Sequence, residues 1–253
     1  MQRALRLKLI TDTVARGRHL SVDALAQLTG VSAVTIRRDL AQLAEEGAIA
    51  RVHGGAKTAN PTGQPMPYTD RMIEHEAEKD RMARATASLI ADHESVVMDN
   101  GTTCVAVARH VCGRPLTALA LSLPVAAALA AQPGVDVVVP GGAVESSTLA
   151  FVAAPAISAL AQMVADVVVL GACSASPEHG LTSTSFADAQ VKRAAIAAAR
   201  RRVLVATADK LARTSTFRFG SPEDLTHLVT TPDAPDDLLA AYRACGVAVH
   251  VAT

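Results

Sequence analysis

Six short runs rich in β-branched residues, Ser95–Met98, Val135–Val139, Val167–Leu170, Val203–Ala206, His227–Thr230 and Val247–Val251, recur with Ala-rich helical stretches between most of them. The runs are apolar on both faces of the strands they would form. Such strands belong inside a sheet that is covered on both sides, and helical crossovers make neighbouring strands parallel. The expected architecture is therefore a mainly parallel α/β domain rather than a sandwich or barrel of hairpins. A helical segment, roughly His75 to Ala91, leads into it, and the chain shows no internal repeat.

The amino-terminal part follows a different period. Leu5, Leu9 and Val14, then Leu25 and Leu28, then Ile36, Leu40 and Leu43 fall at helix spacing, which predicts three short helices. Gly17 stops the first, Ser21 caps the second and Gly30 ends it, and Ser32 caps the third, which Gly47 closes. Ala48 to Val52 reads as a strand and His53-Gly54-Gly55 as a turn, so the outline is a winged helix-turn-helix over residues 1–57. Between Thr58 and Tyr68 stand three prolines, a glycine and few apolar residues, a composition without a core of its own; the expected linker is 58–74, and the α/β domain is 75–253.

Charge is distributed along the same boundary. The 253 residues carry no net charge, yet Met1 to Lys57 holds nine Lys or Arg against five Asp or Glu. A basic excess in a short module suits a polyanion. Cys104, Cys112, Cys173 and Cys245 form no C-x-x-C pair and have no histidine at ligand spacing, so free thiols are expected, with neither a metal site nor a disulfide framework. No stretch approaches eighteen uninterrupted apolar residues and no signal-like segment opens the chain, so a cytoplasmic protein without a membrane partner is expected.

The third helix has a core side and a free, basic side. Ile36, Leu40 and Leu43 share one face, while Val34, Thr35, Arg37, Arg38 and Ala41 point elsewhere. Thr35 and Arg38 are three apart near the amino-terminal end, which a helix-turn-helix protein presents to base edges in the major groove. Arginine reads guanine bidentately, and threonine bonds a phosphate or a base. Ser21 and Ser32, each at a helix start, combine a hydroxyl with free N–H groups that suit phosphate oxygens as well as simple capping. Arg51 and His53, on the expected wing, are candidates for backbone or minor-groove contact.

With these residues in view, the stretch VSAVTIRRDLAQLAEEGAIARVHGGA, Val31 to Ala56, resembles the DeoR-type repressor signature. The resemblance assigns Thr35, Arg37 and Arg38 to a recognition helix and Arg51 and His53 to a wing. It implies double-stranded operator DNA as partner, and a homodimer or homotetramer.

Beyond the linker, polar and glycine signals lie where strands should end: Asp99-Asn100-Gly101-Thr102-Thr103, Pro140-Gly141-Gly142, Gly171, Gly180-Leu181-Thr182, Asp188 to Lys192, and Thr207 to Lys210. In open parallel sheets ligands collect at the carboxyl ends of strands. Glycine permits close backbone approach, and the threonine hydroxyls with free N–H groups suit a phosphate or carboxylate. The order of these segments is similar to the effector-binding domain of the DeoR family, whose fold resembles ribose-5-phosphate isomerase. The resemblance implies that Asp99, Gly101, Thr102, Thr103, Gly141, Gly142, Lys192 and Lys210 line a pocket for a small phosphorylated metabolite. Asp188 stands where the family more often has Glu.

The chain departs from the family in three places. Ala120-Leu121, followed by Ser122, replaces a Thr-Asn pair; Thr207 replaces an Asp; and a glycine expected near Phe151 is missing. These departures leave open an effector with fewer hydroxyls, a pocket in which Asp209 substitutes, or a sensor that no longer senses. Two other functions stand beside the metabolite-controlled regulator, namely a DNA-binding protein whose second domain only oligomerises, and an enzyme of the sugar-phosphate isomerase kind. No base with an oriented partner is evident in the sequence, so neither catalytic residues nor a cofactor are expected.

Overall fold

Gly30 takes φ +70°, and its N–H closes onto the carbonyl of Ala26, which ends one helix and turns the chain into the next. In the computed structural model the described residues are 3–15, 20–45, 49–52, 55–58, 68–152, 154–211 and 213–253. They form two compact units, divided between Gln64 and Pro65.

The first unit contains α1 (Arg3–Ala15), β1 (Leu20–Ser21), α2 (Val22–Thr29), α3 (Ala33–Glu45), β2 (Ile49–Val52) and β3 (Gly55–Thr58). Both expected serine caps form: Ser21 Oγ accepts from Ala24 N at 3.1 Å, and Ser32 Oγ accepts from Thr35 N at 3.3 Å. Ile10, Val22, Leu25, Ile36, Leu40 and Leu43 make a single core. β3 pairs antiparallel with β1 on one side and β2 on the other, which supplies the strand hairpin of a winged unit. The expected helix stops at Gly17 and Gly47, and the turn residues His53 and Gly54, lie outside the described residues.

The second unit opens with α4 (Tyr68–Ile73) and α5 (Glu76–Ala87). It continues through β4 (Ser95–Met98), α6 (Thr102–Val111), β5 (Leu116–Ala120), α7 (Leu123–Leu129), β6 (Val135–Val138), α8 (Ala154–Ala161) and β7 (Ala165–Gly171). Then come β8 (Ser174–Ser176), β9 (Gly180–Ser183), α9 (Phe186–Ala198), β10 (Ala199–Val205), α10 (Ala208–Leu211), β11 (Phe217–Gly220), β12 (His227–Thr230), α11 (Asp236–Ala244) and β13 (Ala248–Val251). Seven strands form one wholly parallel sheet in the order β13-β12-β10-β7-β4-β5-β6.

The period of two in a strand explains how so apolar a sheet is covered. Val97, Leu119, Val168, Leu170, Leu204 and Leu228 point to one face, where α8, α9 and α11 contribute Leu160, Val191 and Tyr242. Val96, Met98, Val167, Val169, Val203, Val205 and Val229 point to the other, where α5, α6 and α7 contribute Met82, Val107 and Leu129. The chain runs outward from β4 through β5 to β6, then returns to lay β7 against the other side of β4. The connections that leave β4 and β7 therefore diverge, and a crevice opens between the carboxyl ends of these two strands.

Three features were not foreseen. β5, Leu-Thr-Ala-Leu-Ala, has a single β-branched residue and falls outside the six expected runs, yet it pairs between β4 and β6 in the sheet. Tyr68–Ile73, inside the expected linker, is helical, because a six-residue helix is too short to display an amphipathic period beside the prolines. β8, β9 and β11 form a separate antiparallel sheet; Ser-Ala-Ser and Gly-Leu-Thr-Ser carry no β-branched run that would announce strands.

Leu25→Ala removes the centre of a six-residue core and is expected to cost about 2–5 kcal/mol. Calorimetry should then show the transition of the smaller unit lowered or lost while that of the sheet domain persists.

Candidate nucleic-acid interface and effector site

α3 is held from below by an ion pair. Asp39 is 2% exposed and accepts from Arg6 of α1 twice, Nε to Oδ2 at 2.6 Å and Nη2 to Oδ1 at 3.3 Å. This bidentate fork fixes the rotation of α3 as well as its position. Donating to the Asp39 carboxylate also raises the pKa of the Arg6 guanidinium. Asp39 follows Arg38 directly, so the acid of the Arg-Arg-Asp-Leu segment faces the core and both arginines face solvent. Sequence reasoning passed over Asp39, although its place beside Leu40 and three after Ile36 put it on the buried stripe.

The opposite side of α3 is free. Arg37 and Arg38 are exposed, Val34 is 65% exposed and Thr35 is half-buried. Ser32 Oγ lies 3.0 Å from Thr35 Oγ1 at the amino-terminal end of the helix. A guanidinium pair, two hydroxyls and one apolar side chain thus occupy one accessible surface. Arg51 lies on β2, but its side chain and all of His53 are outside the described residues.

The expected effector residues separate into three groups. Asp99, Asp188 and Lys192 converge in the crevice between β4 and β7. Lys192 is 2% exposed, its ammonium donates to Asp99 Oδ2, and it stands 3.6 Å from Asp188 Oδ1. The Gly171 N–H donates to Asp99 Oδ2 at 2.9 Å. Asn100 Nδ2 donates to Asp188 Oδ1 at 2.6 Å, and Ser183 Oγ donates to Asp188 Oδ2 at 2.7 Å. Burial works against the Lys192 charge, but Asp188 and Asp99 outweigh it and its pKa is raised. Burial pushes the Asp99 carboxyl up, with Lys192 pulling it down and Asp188 pushing it further up. These three side chains mainly satisfy one another; Asp99 Oδ1 is buried without a hydrogen-bond partner.

Thr102 and Thr103 form the second group, at the first turn of α6, with Gly101 at φ +108° before them. Thr102 is half-buried and lines a groove of about 530 Å³ between α4, α5 and α6, to which Tyr68, Lys79 and Arg109 also contribute. Lys210, at the end of α10, is half-buried, and burial lowers its pKa against the opposing pull of Asp209. Gly141 and Gly142 form the third group, exposed in the loop after β6 with φ +76° and +85°. β6 is two strands from β4, about 10 Å across the sheet, and Gly142 lies against Pro155 of α8.

The three departures have structural partners. Leu121 and Phe151 are both buried in the same core, and the Phe151 N–H donates to the Leu121 carbonyl at 2.9 Å. An apolar residue in one loop is therefore matched by an apolar residue in its neighbour. Ser122 caps α7, accepting from Val125 N at 3.4 Å. Thr207 Oγ1 donates to Asp209 Oδ1, whose other oxygen pairs with Arg213 at 3.0 Å, so Asp209 is already engaged. Cys104 is buried and the other three cysteines are half-buried; all four are free thiols. Among the described residues no helix is long and apolar enough to cross a membrane.

Set beside known proteins, residues 6–62 match the model of the DeoR-like helix-turn-helix domain, and residues 74–231 match that of the DeoR C terminal sensor domain. The HTH-type transcriptional repressor GlcR of Bacillus subtilis is 30% identical over 225 residues, covering 89% of this chain and 87% of that protein. The glycerol-3-phosphate regulon repressor of Haemophilus influenzae is 31% identical over 240 residues, covering 94% and 93%. Ribose 5-phosphate isomerase A from Methanocaldococcus jannaschii superposes with a TM-score of 0.41 at 15% identity, covering 55% of each chain.

Lys192→Met leaves two buried carboxylates facing each other without their cation, and is expected to destabilise the sheet domain by about 3–5 kcal/mol in urea unfolding. A second expectation concerns pH. Burial, reinforced by Lys210 and opposed by Glu74, lowers the Lys79 ammonium from 10.5 to about 8. Between those two values the unfolded chain keeps a proton that the folded chain has released, so this group adds stability as pH rises from about 8 toward 10.5. Lys79→Met should remove that part of the slope from a plot of urea midpoint against pH.

Proposed function

This chain belongs to the DeoR family of transcriptional regulators, and within that family we propose that it is a repressor holding double-stranded operator DNA until a small phosphorylated metabolite releases it. It is a regulator rather than an enzyme, and the relatives described above are named as repressors. The observation that carries the DNA reading is the exposed Arg37 and Arg38 on an α3 whose opposite side is pinned by Asp39 to Arg6.

The physical requirements favour this assignment. A recognition helix must present its side chains at a defined rotation, and the buried fork beneath α3 supplies that rigidity. Arg38 and Thr35, near the helix start, are placed for base edges, and Val34 offers a methyl surface for thymine. Ser21 and Ser32, with the N–H groups of their helix starts, suit phosphate oxygens. Arg51 and His53 are assigned the wing contacts. Because a single such unit binds weakly, the working species is a homodimer or homotetramer with two recognition helices on two half-sites.

The effector is assigned to the carboxyl ends of the strands. Thr102 and Thr103 with Gly101 supply a phosphate cradle at the start of a ten-residue helix, Lys210 supplies charge, and Gly141 and Gly142 form an outer loop. Asp99, Asp188 and Lys192 form the floor, as a set closed on itself. Ala120 and Leu121 stand where the family has a Thr-Asn pair, and the loss of that polar pair favours an effector with fewer hydroxyls than a sugar phosphate of the usual family kind. Release of DNA then follows only to the extent that the effector prefers the conformation with low DNA affinity.

Fluorescence anisotropy with the DNA upstream of the chain's own operon, at fixed salt and with a panel of phosphorylated metabolites, tests both halves. Specific binding that one compound weakens is the expected result; specific binding indifferent to the whole panel would favour a domain that only oligomerises. Arg38→Ala is expected to cost roughly 1–3 kcal/mol and relax preference at one base position. Equal loss on all sequences would reassign Arg38 to phosphate.

A further inference from the structure

A threonine inside a helix can spend its hydroxyl proton on the carbonyl one turn back, and among the described residues four do so. Thr11 donates to the Leu7 carbonyl at 3.0 Å, Thr13 to Leu9 at 2.6 Å, Thr29 to Leu25 at 2.6 Å and Thr86 to Met82 at 2.7 Å. Thr35 of α3 is different. Four residues before it stands Val31, outside the helix, and among the described residues the partner of Thr35 Oγ1 is Ser32 Oγ, at 3.0 Å.

Two groups therefore meet at Ser32 Oγ. It accepts from the Thr35 N–H at 3.3 Å as the cap of α3, and it faces the Thr35 hydroxyl. A hydroxyl has one proton and two acceptor sites. Between the two oxygens lies a single proton, and whichever residue supplies it, the proton of the other is left to point outward. The pair thus presents one outward O–H, carried by Ser32 or by Thr35 and never by both. The amino-terminal end of a helix carries positive potential, which favours an oxygen there that accepts from both neighbours and turns its own proton away. Ser32 is exposed and Thr35 half-buried, so an outward Ser32 proton is open to a partner.

DNA decides between the two arrangements. A phosphate oxygen only accepts, so a phosphate held by the Ser32 hydroxyl takes the Ser32 proton. The proton between the two oxygens is then that of Thr35, and Thr35 Oγ1 is left with lone pairs alone. In the major groove such an acceptor bonds the exocyclic amino group of adenine or cytosine and is repelled by the carbonyl oxygen of guanine or thymine. We infer that Ser32 and Thr35 act as one reading unit, in which phosphate contact by Ser32 makes Thr35 an acceptor specific for the amino group of adenine or cytosine. Ser32 is the positioning residue, and Thr35 touches the base. The inference rests on the operator-DNA reading and on the Ser32 and Thr35 assignments given above, and adds to them which bases are accepted. Backbone register and preference at one base pair are thereby tied to a single shared proton.

Selection of the full chain and of Thr35→Val on a randomised duplex library finds the base pair whose preference depends on Thr35. At that pair, analogues lacking one exocyclic group are compared by fluorescence anisotropy at fixed salt. Purine for adenine or pyrimidinone for cytosine removes the amino group; aminopurine for guanine or methylpyrimidinone for thymine removes the carbonyl oxygen. The comparison with Thr35→Val cancels the cost of the weakened base pair itself. Loss of the amino group is expected to weaken the parent chain about tenfold more than Thr35→Val, and loss of the carbonyl oxygen to weaken both alike. Ser32→Gly, which still caps a helix but has no hydroxyl, frees Thr35 to donate as well as accept, and the amino dependence is expected to fall to about twofold. Ser32→Asn, whose Oδ1 caps and can only accept, is expected to retain it. Circular dichroism establishes the folding of each variant; should Ser32→Gly fail to fold, Ser32→Asn carries the comparison, and loss of the amino dependence there overturns the inference. Dependence on a carbonyl oxygen, or an amino dependence unchanged in Ser32→Gly, overturns it as well. Specific binding with no base pair sensitive to Thr35→Val also overturns it, yet leaves the DNA-binding reading standing. Absence of sequence-specific binding by the parent chain removes that reading and the inference with it.

Discussion

A buried lysine between two carboxylates lies beneath the site of the sheet domain. Lys192 reaches from α9 to Asp99 at the end of β4, while Asp99 also receives the N–H of Gly171 at the end of β7. β4 and β7 are adjacent strands whose connections run in opposite directions, so beyond the last backbone hydrogen bond, Asp99 N–H to the Val169 carbonyl at 3.0 Å, no ladder keeps their ends together. The triad does so electrostatically, in a setting with little water to screen it. Asn100 and Ser183 then bind Asp188, extending the same network to the start of α6 and to β9. Apart from Asp99 Oδ1, the charges of this set are met within it, and it braces the strand ends around it.

The DNA-binding unit repeats this logic on a smaller scale. A unit this small has limited apolar area to fix the mutual rotation of its helices; among the described residues six side chains are buried in its core. The two-point fork between Arg6 and Asp39 adds direction where hydrophobic contact is indifferent to it. In both units, then, a buried ion pair lies beneath the surface proposed to meet a partner. Truncating either pair leaves an uncompensated charge inside, a cost borne by the fold itself.

The departures from the family pattern become intelligible as a coupled change. Leu121 and Phe151 are thirty residues apart in sequence but joined by a backbone hydrogen bond and buried in one core. A large side chain at one position and an apolar one at the other fill common space, so two changes that look independent along the chain are one packing event. Thr207 is different in kind: its hydroxyl is bonded to Asp209, which Arg213 also holds, and the charge at that strand end stays local.

Periodicity and punctuation determined much of this protein from its sequence alone. The three amino-terminal helices, their serine caps, the basic face of α3 and the strands of a doubly covered parallel sheet all depend on residues within a few positions of one another, where helix and strand geometry impose their repeats. α4, β5 and the small sheet of β8, β9 and β11 escaped because short segments of polar, small or unbranched residues carry no strand or helix signal of their own. Which candidate residues stand together was decided only by tertiary structure. Asp99 and Lys192 are 93 positions apart, and Arg6 and Asp39 are 33 apart. Charge in a sequence has a sign but no neighbour, and its role as foundation or as ligand is settled by the low-dielectric surroundings that folding alone creates.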